Sequence, residues 1–546
     1  MFIRSHKKLI LLILSLWTFI FVFRFLLINN LTKLILNDKN DFIENSINYL
    51  YETTTKAKSH GSLLSNDYAL NIDNSSVPNE KDVIFMNISN IPNINWEKMR
   101  SFQKYSFEKS KLLSNTCRVF YPNPYELSFN NIYWQFFQSD NTMFYLYGAY
   151  YDDRPLGGKI PKIRIISMIN KINPPPTICQ LWFHNFPSPI PSRAKYTFAW
   201  HPKWGNFKDG ILQPFIITCE VPQLNINKHL GVPISVSLVK NPCDNSTNNL
   251  RINNFRPPKV EQFAVCVKGL DFLYTDLSIR LIEWIELIRI LGASKIFFYD
   301  LESHPNMKKV LKFYEKQGFV QLTTLTLPGS QPNIPGFRHW YLKKKLTNKR
   351  QNELIPYNDC LYKNLYTYKY LVLLDIDEII MPLVHQNWSD LMDHVEKISH
   401  RSSSSYNVRN VYFFDDFVEK SSNDQLLNHQ VHEQGIPRYF HMLQHVYRSS
   451  NFTKPGQYVK SFHNVNQVVS LHNHFPLNCF GSCTTYPIDT SLAQLQHYRK
   501  DCVVTLKSSC NSNFKLYPVR DTAIYKYKDQ LIQRVTDALQ ALGFFT

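Results

Sequence analysis

The sequence predicts a three-layer α/β domain, preceded by a β-rich domain and tethered through one N-terminal transmembrane helix. Three observations carry that expectation. From about residue 257 to the C-terminus, strand-like segments alternate with helix-like ones. Across 101–256, apolar and polar residues alternate at period two with little helical patterning. At 9–28 lies a 20-residue apolar run. The chain has 546 residues, 44% of them hydrophobic and 14% aromatic, which allows several real cores and excludes a disordered composition.

The N-terminal run spans about 30 Å as a helix, the thickness of a bilayer core. Its one charge, Arg24, sits near the far end, where it can snorkel. The run exceeds a signal-peptide core and no A-x-A site follows, so an uncleaved anchor is expected. Arg4, Lys7 and Lys8 precede it, which leaves 1–8 as a cytosolic tail and the rest luminal. Sequons at Asn74, Asn87, Asn245, Asn387 and Asn451 agree with that side of the membrane. Ten cysteines without a paired C-x-x-C array agree as well, and suit up to five disulfides. The expectation is a single-pass type II protein of the secretory pathway.

Residues 29–100 are Asn/Ser-rich and read as a stem. The formal charge is +18, but a luminal chain meets no nucleic acid, and none is expected as a partner. Only "YLKKKLTNKR" at 341–350 concentrates the basic residues. It reads either as the wet face of a helix or as an attractor of a phosphorylated ligand.

The β-rich domain, 101–256, contains "NNIYWQFFQSDNTMFYLYGAYYDD", "KIRIISMIN" and "GILQPFIITCEVP", and closes at the breaker "NNFRPPKV". After it, "FAVCV" is a strand. Residues 277–291 place Leu281, Trp284, Ile285 and Ile288 on one helical face, with Gly292 as the stop. "KIFFYD" is the next strand, Pro305 starts a helix, and "GFVQLTTL" is a third strand. A basic helical stretch then leads into "YKYLVLLDIDEIIMP".

That last segment sets the functional question. Leu371 to Leu374 form a buried strand that runs straight into Asp375, Asp377 and Glu378. An unpaired buried carboxylate costs several kcal/mol, so these acids need water or a positive partner. Carboxylates one residue apart at a strand end, where α/β sheets bind ligands, can hold a divalent cation that in turn holds phosphate oxygens. A phosphohydrolase of the haloacid dehalogenase type also ends a strand in Asp-x-Asp. That pattern wants Thr or Val two places on, and Ile379 stands there.

"LIEWIELIRILGASKIFFYD", "YNDCLYKN", "YLVLLDIDEIIMP", "GQYVKSFHNVNQVVSLHNHFP" and "LQHYR", in that order, resemble glycosyltransferase family 92, and an animal, galactosyltransferase-like member of it. The resemblance extends from about residue 101 to the end. It implies a type A glycosyltransferase fold for 257–546, a divalent metal (Mn²⁺), a UDP-sugar donor, inversion at the anomeric carbon, and a glycan acceptor on glycoprotein or glycolipid. With the anchor it implies a Golgi membrane location.

Carried over by residue, the resemblance makes Asp375 and Asp377 metal and diphosphate ligands and Glu378 an extension toward sugar or acceptor. The third metal ligand is a late histidine, His472 or, second, His497. Asp359 either contacts the donor or bonds locally. Lys460 and Arg499 either neutralise diphosphate or form internal ion pairs. Inversion needs a carboxylate base, for which "VYFFDDF" offers Asp415 and Asp416, otherwise an exposed acidic turn. A luminal glycan-binding protein without turnover is the remaining alternative.

Overall fold

The computed structural model describes residues 90–109, 118–222, 231–417 and 435–545, all within the unit Pro78–Thr546. The expected anchor, 9–28, and the stem up to residue 89 lie outside the described residues. Among the described residues, no helix is long and apolar enough to cross a membrane.

Helix α1 (Trp96–Lys109) precedes nine strands. They are β1 (Phe129–Asn131), β2 (Trp134–Ser139), β3 (Thr142–Asp152), β4 (Lys162–Ile169) and β5 (Ile178–Trp182), then β6 (Ile190–Phe198), β7 (Gln213–Glu220), β8 (Ser235–Val239) and β9 (Leu250–Asn253). Their order is β1-β2-β3-β4-β7-β6-β5-β8-β9, and β9 also pairs with β3, so the sheet closes on itself. Alternate residues such as Phe144, Ile163, Ile165, Leu181, Ile217 and Leu238 fill its interior. Cys179 and Cys219 are bonded inside it.

Strand β3 serves two cores. Phe144 and Leu146 face the interior, whereas Tyr145 and Tyr147 face outward. A register shift between Leu146 and Gly148 then reverses the alternation, so Ala149 and Tyr151 turn inward and Tyr150 outward. Residue 148 must be small, because a Cβ there would lie 2.6 Å from the Tyr150 hydroxyl oxygen.

The second sheet starts with β10 (Glu261–Phe272). It continues through α2 (Ser278–Ile290), β11 (Lys295–Ser303), α3 (Pro305–Lys316), β12 (Val320–Thr324), α4 (Pro335–Lys344), α5 (Leu346–Lys363) and β13 (Tyr368–Leu373). After β14 (Glu378–Pro382) and α6 (Trp388–Ile398) come β15 (Ser405–Val408), β16 (Asn410–Phe414), β17 (Tyr447–Ser449), β18 (Lys460–Asn464), β19 (Val468–Leu471) and β20 (Pro476–Cys479). The chain ends with β21 (Thr485–Pro487), β22 (Ala493–Arg499), β23 (Pro518–Arg520) and α7 (Lys528–Ala541). The main order is β12-β11-β10-β13-β18-β15-β21, parallel through its first four strands, with β18 antiparallel to β13 and β15. A small sheet, β14-β22-β16, sits beside it.

The expected helical face of Leu281, Trp284, Ile285 and Ile288 packs against Val265, Phe298 and Val372 of the sheet. Each such buried side chain contributes roughly 1.5–3 kcal/mol. Helix α2 is in fact buried almost all round, because α7 packs on it as well. On the other sheet face, Cys266, Tyr299 and Leu371 meet Leu354, Ile355 and Leu361 of α5. The same helix touches β3, β4 and β7, so α5 lies between the two sheets. A Cys266–Cys360 disulfide fastens it to β10. Cys479–Cys483 and Cys502–Cys510 are bonded too. The basic run at 341–350 spans the junction of α4 and α5, with Lys343, Lys344 and Lys345 exposed.

Candidate functional site

Asp375 and Asp377 occupy the turn between β13 and β14. Parallel pairing matches Cys266 with Leu373, and two residues further along each strand Lys268 stands beside Asp375. Its Nζ lies 3.0 Å from Asp375 Oδ1 and 3.8 Å from Glu353 Oε1. Lys460, the first residue of β18 and 0% exposed, puts its Nζ 3.6 Å from Asp375 Oδ2 and 3.0 Å from Glu378 Oε2. Burial opposes the charge on Asp375, but Lys268 and then Lys460 hold its carboxyl far below the usual range. Burial likewise opposes the charge on Lys268, yet Asp375 and Glu353 keep its ammonium protonated well above its ordinary value.

Glu378 is directed into the protein. Its side chain, 4% exposed, turns inward and accepts the Asp375 backbone N–H at 3.0 Å as well as Lys460. Burial pushes its carboxyl up and Lys460 opposes the shift. It braces the turn, and Lys460 is held in that internal ion-pair network, as the second of its two sequence readings had it.

Asp377 is 44% exposed, with its Oδ2 3.4 Å from His497 Nε2. Antiparallel pairing of β14 with β22 sets Glu378 opposite His497 and so delivers the ring to the turn. Arg499 Nη1 lies 3.4 Å from His497 Nε2, and Nδ1 lies 3.2 Å from Asn410 Oδ1. Nε2 faces the Asp377 carboxylate. Burial opposes ionisation of Asp377 and His497 favours it, with a net lowering. A carboxylate oxygen and a ring nitrogen at that spacing fit a shared cation once the ring is deprotonated at Nε2, since cis ligands with bonds of about 2.1–2.2 Å lie about 3 Å apart.

His472, the first choice from sequence for the third ligand, is elsewhere. It follows β19, which packs on α5, and its ring rests 4.5 Å from Trp204 and 4.9 Å from Phe475 between centroids. Burial pushes its pKa down to about 3. Asp359 bonds locally. It is buried and accepts the hydroxyls of Tyr150 and Tyr299, the latter at 2.5 Å, with Lys363 Nζ at 2.7 Å. Arg499 also donates to the Asp501 carbonyl. Asp415 and Asp416 follow β16, whose Tyr412 pairs with His497, but they are not a bare acidic turn. Asp415 meets His445 and His441, while Asp416, 43% exposed, meets Lys515 Nζ at 2.6 Å.

Lys268, Asn410, His441 and His445 were not singled out by sequence. A lysine closing the apolar strand "FAVCVK", parallel to "YLVLLD", was the available signal for the first, and the spacing "HMLQH" for the last two. Next to Lys268 a pocket opens at the carboxyl ends of β10 and β11, lined by Gly269, Asp271, Leu301, Leu325, Glu353 and Pro356 among others.

The profile described as Glycosyltransferase family 92 matches residues 261–535. The chain belongs to glycosyltransferase family 92. The match opens at the first residue of β10 and ends within α7, whereas the resemblance read from sequence reached back to about residue 101. This family 92 protein is thus a glycosyltransferase with an α/β fold, which leaves the phosphohydrolase reading without support. No curated protein matches the chain. Among solved structures it is similar to S. aureus TarS 1–349, at 13% identity and TM-score 0.16. The same TarS fragment in complex with UDP aligns at 11% identity and TM-score 0.17. Each alignment covers 28% of this chain and spans 36% of the TarS chain.

Proposed function

We propose that this family 92 protein is a metal-dependent, inverting hexosyltransferase. In this reading it moves galactose from UDP-galactose, in β-linkage, onto glycans of glycoproteins or glycolipids. It does so as a type II protein of the Golgi membrane, with the catalytic domain luminal. The observation that carries the metal-dependent reading is the Asp377–His497 pair, a carboxylate oxygen and a ring nitrogen 3.4 Å apart at a strand end.

Asp377 and His497 would hold Mn²⁺ directly, and Asp375 would reach it through water. Bound there, the ion would stabilise the charge that grows on the leaving diphosphate. Lys268 and Lys460 keep Asp375 ionised, and Glu378 fixes the turn that aims both aspartates. Asp271 and Glu353 offer carboxylates to hydroxyl or N–H groups of a nucleoside in the pocket. Direct displacement needs a base for the acceptor hydroxyl, and the half-exposed Asp416, on the same strand end as Arg499, takes that role.

The test is UDP release by the full-length chain across a panel of UDP-sugars with mixed glycan acceptors, first with Mn²⁺ and then with EDTA. Turnover of UDP-galactose that EDTA abolishes and that Asp377→Asn lacks is the expected result. Turnover indifferent to EDTA would remove the metal, turnover of another donor would replace galactose, and UDP binding without turnover would favour a glycan-binding protein.

A further inference from the structure

A second carboxylate in this chain faces two imidazoles, away from Asp375 and Asp377. Asp415 Oδ1 lies 3.1 Å from His445 Nε2 and 3.5 Å from His441 Nε2. One ligand atom from each residue falls within 4.8 Å of the others. The turn carrying both histidines is held from α2. There the buried Glu283 accepts the backbone N–H groups of His441 at 2.7 Å, Met442 at 3.0 Å and Leu443 at 3.0 Å. His445 Nδ1 is 2.6 Å from the His441 carbonyl oxygen, which can only accept. Nδ1 therefore carries a hydrogen, which leaves Nε2, 3.1 Å from Asp415 Oδ1, as the ring atom available to a metal. His441 Nε2 is buried and, among the described residues, makes no hydrogen bond, on a side chain 11% exposed. Two imidazole nitrogens and a carboxylate oxygen thus converge on one point.

From this arrangement we propose that Asp415, His441 and His445 form a binding site for a Zn²⁺-class transition-metal ion, distinct from the site at Asp377 and His497. Ligand atoms about 2.1 Å from a tetrahedral ion lie about 3.4 Å apart, and the two observed spacings bracket that value. Two imidazoles with one carboxylate suit Zn²⁺ better than a hard ion such as Mg²⁺ or Mn²⁺. The His445 Nδ1 contact with a backbone carbonyl is the outer bond that fixes a ligating ring. Asp415, 31% exposed, leaves the fourth position open to water. Positions i and i+4 on one turn bring both rings to the same side. The ion clips the end of β16 to a turn anchored on α2. The other grouping of metal-type donors among the described residues, Asp501 with Cys502 and Cys510, is closed by its disulfide. The proposal stands whether or not sugar transfer needs Mn²⁺.

The test uses the full-length chain, without a polyhistidine tag and purified without chelator. Its metal content is measured by mass spectrometry, and the chelated protein is titrated with Co²⁺, whose visible bands report tetrahedral coordination. The expected result is one Zn²⁺ per chain and saturable Co²⁺ bands. His445→Gln and His441→Asn should each weaken Co²⁺ binding at least about tenfold, on the scale of disturbed metal ligation. Asp377→Asn should change neither content nor bands. A wild-type chain that holds no Zn²⁺ and gives no Co²⁺ bands overturns the proposal. So do bands that vanish in Asp377→Asn or survive His445→Gln. Should the histidine variants fail to fold, wild-type Co²⁺ bands challenged with excess Mn²⁺ decide the matter. Persistence supports a separate site, and displacement overturns it.

Discussion

Replacing Lys268 with Met keeps the length of the side chain and removes its charge. Unit charges 3.0 Å apart attract by about 5–6 kcal/mol at an effective dielectric of about 20, and desolvation takes back much of this. Breaking one half of a buried ion pair typically costs roughly 3–5 kcal/mol. Lys460 still stands 3.6 Å from Asp375, so the lower end, about 3 kcal/mol, is expected. The sign with pH follows from the depressed carboxyl of Asp375. A group whose folded pKa lies below its unfolded value of about 3.9 stabilises the fold above that value, and the contribution is lost as pH falls through the folded pKa. In the Lys268→Met variant, burial acts with less opposition and Asp375 protonates at higher pH, so stability begins to fall nearer neutrality. Guanidinium unfolding at pH 7 and pH 5 measures both effects. The double variant Lys268→Met/Asp375→Asn should recover most of the loss, because neither charge is then stranded. A single variant within about 0.5 kcal/mol of wild type, or a double variant no better than the sum of its parts, would refute this account of the pair.

Three further outcomes are expected. Gly148→Ala forces a Cβ to within 2.6 Å of the Tyr150 hydroxyl and should cost about 1–3 kcal/mol in thermal unfolding, partly regained when Tyr150→Phe is added. A double-mutant cycle of Tyr150→Phe with Asp359→Asn should give a coupling of at least about 1 kcal/mol, since that hydrogen bond ends on a buried charge; coupling near zero would deny the link between the domains. His497→Ala should raise the Mn²⁺ concentration for half-maximal UDP release about 10–100-fold, whereas His472→Phe should leave it within about twofold. Equal effects of the two would return His472 to the site.

The α/β alternation and the Asp375–Asp377 turn were legible because their signals are local: an apolar strand, then acid, in a run of 15 residues. The partners of those acids were not, since they arrive by register across strands distant in sequence. Lys268 reaches Asp375 only because β10 and β13 pair in parallel, and His497 reaches Asp377 only because β22 returns antiparallel to β14. From sequence His472 and His497 looked alike, each closing or lying in a strand-like run. What separates them is the packing of β19 against α5 and Trp204. Glu378 and Asp359 turn inward for one shared reason. Both face layers that sequence periodicity does not reveal, the first toward Lys460 and the second toward tyrosines from two sheets.

The position of α5 bears on how this chain can be divided. A portable module needs a boundary that few side chains cross. Cutting between β9 and β10 would separate Tyr145, Tyr147 and Met168 from Leu354, Ile355 and Tyr357, and would leave Asp359 short of one of its tyrosines. The helix that forms one wall of the pocket beside Lys268 would then show bare hydrocarbon to water. Recombination that swapped the β-rich half for another would have to repack the wall of the pocket in the same event.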